Sequence, residues 1–130
     1  MRSSNFELVQ DFQREVLKND FPPTPTLQSY GKVNHLLTCL QEELQELQDA
    51  LLEDDVVGAT DALVDLVYFA LGAAHQMGIP FDEAFCLVHI ANLKKQKGMT
   101  KRGHENDATK PADWASPEEA IRALLYPPQS

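Results

Sequence analysis

Residues that would announce covalent or thiol chemistry are nearly missing from this chain. Only two cysteines occur, Cys39 and Cys86, each inside an apolar helical pattern. They read as small buried hydrophobes in a reducing compartment, not as a disulfide framework. No serine or cysteine stands in a nucleophile context, and no Gly-x-x-x-x-Gly-Lys loop is present, which excludes a P-loop enzyme. No run of about 18 apolar residues is free of charge, so no membrane partner is expected. The start, Met1 to Glu7, lacks an apolar signal core, and a cytoplasmic location is expected. Basic residues are scarce: 11 stand against 20 acidic ones, for a formal charge of −9. Such a skin repels polyanions, so nucleic acid is not an expected partner.

What is present is enough apolar residue, 43% of 130, for one packed domain. The order of the chain predicts an all-α fold: antiparallel helical hairpins forming a four-helix-bundle-like core. An N-terminal helix (Asn5 to Lys18) and a proline-rich link fill 1–27. Residues 28–97 hold three helices, about Gln28–Glu53, Val56–Met77 and Pro80–Lys97. The second carries the stripe Leu37, Leu40, Leu44, Leu47, Leu51, as a helix packed along one seam should. Asp54-Asp55 caps the third, and Gly78 ends it. The remainder, 98–130, is a polar, mobile arm followed by a short helix that Ser116-Pro117-Glu118-Glu119 opens. No segment reads as a strand.

The third helix carries the sharpest chemical signal. It is apolar around most of its circumference, yet Asp61, Asp65, Tyr68, Gly72 and His75 fall within roughly 50° of one line. Burying an ionised carboxylate alone costs several kcal/mol, so two stacked a turn apart call for a cation or for neutralisation. Glu42, Glu43 and Glu46 share one arc of the second helix, and the short Asp-Asp turn makes the two helices antiparallel, bringing these residues level with Asp61 and Asp65. Hard oxygen donors in that number suit Mg²⁺, with Mn²⁺ as a substitute, better than zinc. The absence of a Glu-x-x-His step argues against a di-iron bundle.

These residues resemble the MazG-like all-α nucleoside triphosphate pyrophosphohydrolases, a superfamily that also holds phosphoribosyl-ATP pyrophosphohydrolases and dimeric dUTPases. The likeness rests on Glu42-Glu43-x-x-Glu46 and on Asp61 to Tyr68. It continues through Gly72, Gly78-Ile79 and the His89-x-x-Asn92-x-x-Lys95 segment. Lys110-Pro111-x-x-Trp114 resembles the tail of a phage and Deinococcus-type branch. The resemblance implies Glu43, Glu46 and Asp65 as metal ligands, with Asp61 as the fourth. It also implies Glu42 as the residue that holds an outer metal or orients the attacking water, and contacts from Asn92, Lys95, Lys110 and Trp114 to the substrate. One position departs: the usual second motif, Glu-x-x-Asp, would place glutamate where Ala62 stands.

Lys94, Lys95, Lys97, Lys101 and Arg102 concentrate positive charge in an acidic chain, as a triphosphate needs. The expected chemistry is attack of water on the α-phosphate of a small-molecule nucleotide, with pyrophosphate leaving. Candidate substrates are dUTP and dGTP. Rival readings are phosphoribosyl-ATP as the substrate, and a non-catalytic helical oligomerisation module. Trp114, Tyr30 and Phe21 are candidates to stack on a base. Apolar surface left over by two hairpins predicts a homodimer or homotetramer.

Overall fold

The structure, a computed structural model, describes residues 3–129. Its element order is α1 (Asn5–Glu15), α2 (Tyr30–Leu52), α3 (Val56–Gln76), α4 (Phe81–Asn92), β1 (Gln96–Gly98), β2 (Asp107–Thr109) and α5 (Glu118–Leu125). The described chain is therefore mostly helical. It divides into two compact units, one up to Phe81 and one from Asp82 onward.

In the first unit, Ser4 starts α1 with a capping box: its hydroxyl accepts from the Glu7 amide at 3.1 Å, and the Glu7 carboxylate accepts from the Ser4 amide at 3.1 Å. The helix stops three residues short of the expected Lys18, because Lys18 adopts a left-handed conformation (φ 57°) and the Asn19 amide turns back to the Gln13 carbonyl. Asp55 caps α3 by accepting from the Gly58 amide at 2.9 Å. Helix α3 is the centre of this unit and packs against both α1 and α2. Its buried residues are Ala62, then Leu71 to His75, and the small ones let Val9 and Gln13 of α1 approach closely. His75 is buried; its Nε2 donates to the Phe6 carbonyl at 2.7 Å, and its ring stacks on Phe6 at 3.6 Å.

The leucine stripe of α2 does not behave as one seam. Leu40 and Leu47 are half-buried, whereas Leu37, Leu44 and Leu51 are exposed (48, 58 and 62%), as are Leu63, Val64 and Val67 on α3. One chain supplies too few helices to cover both faces. By length and composition alone α3 could cross a membrane, with a mean hydropathy of 1.6 over its best window. Core helices of bundles pass that test too, and Asp61 and Asp65 suit a bundle helix better. Cys86 is exposed and Cys39 half-buried, so neither is the core hydrophobe that its flanks suggested.

The second unit corrects the expected course of 93–115. Helix α4 ends at Asn92 rather than Lys97, and Gln96–Gly98 pairs antiparallel with Asp107–Thr109, Lys97 opposite Ala108. The expected loose arm is thus a short hairpin. Asp107 holds its connection: it accepts from the Thr100 hydroxyl and from Arg102 Nε (2.7 Å), and from the Ala108 amide (2.9 Å). Those bonds, the Thr100 one foremost, hold its carboxyl down at about 2. Trp114 Nε1 donates to the Ala91 carbonyl at 2.7 Å, satisfying an end-of-helix acceptor.

Gly78 ties the proline-rich link to the end of α3. It has φ 67°, and an added Cβ would lie 2.9 Å from the carbonyl oxygens of both Pro22 and Thr24, while the Thr26 amide donates to the Met77 carbonyl at 2.8 Å. We expect Gly78→Ala to destabilise the protein by about 1–3 kcal/mol in chemical denaturation. An unchanged midpoint would show that the link is not anchored there.

Candidate metal centre

The turn between α2 and α3 decides what faces what. Asp54 takes the left-handed conformation (φ 53°), the Asp55 amide donates to the Ala50 carbonyl at 2.8 Å, and the chain reverses within three residues. Counting outward from it, Glu43 and Glu46 come level with Asp61 and Asp65. One carboxylate oxygen from each of Glu43, Glu46 and Asp65 lies within 4.8 Å of the others, as a group that could hold a metal ion. Asp61 stands just outside this trio, exposed, and close enough for its charge to act on Glu43. Glu42 is exposed on the same helix. Ala62 is buried at 1% exposure, so the position that lacks the usual carboxylate is closed off and adds no donor.

Glu43 carries the physical signature of the site. Its Oε2 is buried without a hydrogen-bond partner. Lost hydration, a side-chain hydrogen bond with Glu46, and the charges of Asp65, Glu46 and Asp61 push its carboxyl up from 4.5 to about 7. Among the described residues no lysine or arginine pairs with any of these carboxylates. A buried oxygen with no donor, ringed by like charge, is an unfavourable arrangement in a metal-free protein. Hard oxygen donors converging on one point suit a divalent cation, and the residues present fit one.

The other expected contact residues belong to the second unit. Lys95 and Lys110 each place their ammonium 5.1 Å from the centre of the Trp114 ring, so these three are brought together. Asn92 is the exposed last residue of α4. Trp114 is engaged by these lysines and by Ala91, and Phe21 by Arg14 and His75. Both are occupied with structural contacts, and Tyr30 is 83% exposed.

One feature of the first unit was not legible beforehand. A cavity of about 440 Å³ lies among α1, α2 and α3, lined by Phe12, Tyr68, Phe69 and Gly72 and by Gln13 and His35. Gln13, Gln28 and Gln76 stand in no motif of the sequence. Only their convergence reveals the cavity.

A profile of the phosphoribosyl-ATP pyrophosphohydrolase family matches residues 7–92. The chain belongs to that family. The match runs from α1 to the end of α4 and includes every carboxylate of the cluster. Comparison with curated proteins finds no match. Membership makes this a pyrophosphohydrolase of the MazG-like superfamily, whose members work with a divalent metal, and the Glu43–Glu46–Asp65 cluster is where this chain can hold one.

The raised Glu43 carboxyl sets a pH dependence for the metal-free protein. Between about 4.5 and 7 the folded chain binds more protons than the unfolded one, so this group's contribution is full below 4.5 and is lost as pH rises through 7. Urea titrations in chelator should show that decline, and Glu43→Gln should flatten it. An unaltered slope in the variant would remove Glu43 as its source.

Proposed function

We propose that the protein hydrolyses a (deoxy)nucleoside triphosphate to the monophosphate and pyrophosphate, in the cytoplasm. Mg²⁺, or Mn²⁺ in its place, would be held by Glu43, Glu46 and Asp65, with Asp61 completing the set. The observation that carries this is the unpartnered, buried Glu43 oxygen within a carboxylate trio. When bound, the cation lowers the pKa of water and offsets charge on the departing pyrophosphate.

The chain's own residues do the rest. Glu42, exposed and next to Glu43 in the sequence of α2, positions the attacking water and takes its proton. The bond from the α-phosphorus to its bridging oxygen breaks, and pyrophosphate leaves with that electron pair. The family resemblance is what assigns Asn92, Lys95, Lys110 and Trp114, in the second unit, to the substrate's sugar and phosphates. A second reading, favoured by the phosphoribosyl-ATP pyrophosphohydrolase profile match, is phosphoribosyl-ATP as substrate with the same bond broken. A non-catalytic helical module would leave the buried Glu43 Oε2 without a partner.

The test is a panel of NTPs, dNTPs and phosphoribosyl-ATP with Mg²⁺, scoring monophosphate, pyrophosphate and orthophosphate separately. Pyrophosphate release from one class is expected, with Asp65→Asn lowering kcat on the order of a hundredfold or more. The same substitution should abolish thermal stabilisation by Mg²⁺. Orthophosphate as the first product would refute attack at the α-phosphate.

The exposed leucine face of α2 and the Leu63–Val67 face of α3 support a homodimer or homotetramer, since monomers rarely leave such contiguous apolar surface in water. Light scattering at micromolar concentration should give at least twice the 14.6 kDa chain mass. A monomeric mass would count against it.

A further inference from the structure

We propose that the concavity beside the β1–β2 hairpin is a metal-independent binding site for a polyphosphate anion, held by Lys95, Lys101, Arg102 and Lys110. The site lies wholly within the second unit and rests on nothing in the carboxylate cluster. It also lies past residue 92, where the match to the family profile ends.

The concavity measures about 720 Å³ and is lined by those four cations and otherwise by neutral residues. Four of the chain's 11 basic residues thus face one hollow without a carboxylate in its walls, although the chain holds 20 acids. Like charges so gathered repel one another. Yet the ion pairs among the described residues are Arg102–Asp107 and Arg122–Glu119, so Lys95, Lys101 and Lys110 pair with no carboxylate. Lys95 is moreover half-buried, where water and salt screen it less. Its ammonium and that of Lys110 each stand 5.1 Å from the centre of the Trp114 ring, so one indole holds both charges at the hollow.

Arg102 is fixed in place rather than used up. Its Nε and one terminal nitrogen both go to the Asp107 carboxylate, which orients the guanidinium and leaves the other terminal nitrogen to reach an anion. The Thr100 hydroxyl donates to Asp107 and the Thr109 hydroxyl to the Gln96 carbonyl. The side-chain donors left for a ligand are therefore all cationic. Such a set reads charge rather than a base, and four cations in one hollow favour an anion of several charges over a lone phosphate.

Trp114 is the chain's only tryptophan, so its fluorescence reports on this pocket. Titrating the metal-free protein with pyrophosphate should change that emission saturably and give one site per chain by calorimetry. Added salt should weaken the binding, and orthophosphate should bind on the order of tenfold more weakly. By calorimetry, Lys101→Gln and Lys110→Gln should each weaken pyrophosphate on the order of five- to tenfold. Lys18→Gln, which removes the same charge from the first unit, should change it by less than about twofold. Asp65→Asn should leave metal-free binding as it was. ADP separates a nucleotide tail from the free anion: affinity equal to that of pyrophosphate is expected. No saturable binding, an equal loss in Lys18→Gln, binding of ADP without pyrophosphate, or binding that needs Mg²⁺ and disappears in Asp65→Asn would each overturn the proposal. Triphosphate hydrolysis without metal-free pyrophosphate binding would refute this site alone and leave the enzymatic reading standing.

Discussion

Like charge held at a helix–helix seam is what the rest of this structure has to accommodate. Glu43, Glu46 and Asp65 converge where α2 and α3 pack, and Asp61 adds its field from the next turn. Water would relieve the repulsion if the carboxylates were fully hydrated, but Glu43 Oε2 is buried without a partner. Two resolutions remain: a proton, which is why the Glu43 carboxyl rises to about 7, or a cation. The antiparallel hairpin enforces this by register, since the tight Asp54–Asp55 turn leaves no slack for the helices to slide apart.

The strip along α3 that begins with these aspartates serves two environments. Its N-terminal end, Asp61 and Asp65, meets the glutamates of α2. Its C-terminal end, Gly72 and His75, is buried under α1, where Gln13 and Phe6 cover it. Tyr68 marks the change, packing edge-on to Phe12. A single helical line can thus hold a charged site at one end and a tight, neutral contact at the other, because α1 is only 11 residues long and covers only part of α3. The cavity lies at that boundary.

Some parts of the molecule could not be read ahead of the structure, each for a physical reason. The β1–β2 hairpin was invisible because its strands, Gln-Lys-Gly and Asp-Ala-Thr, are three residues each and lack apolar alternation; they are held by the Asp107 bonds to Thr100 and Arg102 rather than by a buried face. The leucine stripe of α2 gave the right helix but the wrong environment for three of its five leucines, since periodicity reports which residues share a face and not whether anything covers that face. Cys86 was misplaced for the same reason.

The residues alone determined the helices, the Asp54-Asp55 cap of α3, the antiparallel pairing of α2 with α3, and the identity of the carboxylates that meet there. All of these follow from local rules: capping chemistry, a 3.6-residue period and a turn too short for any other connection. Only the tertiary structure decided that Glu43 is the carboxylate with an orphaned oxygen, that Ala62 is sealed away while Asp61 stays open, and that three glutamines and an asparagine from four places in the chain meet at one cavity. Burial and hydrogen-bond direction depend on what other elements bring to the same point, and no local pattern carries that information.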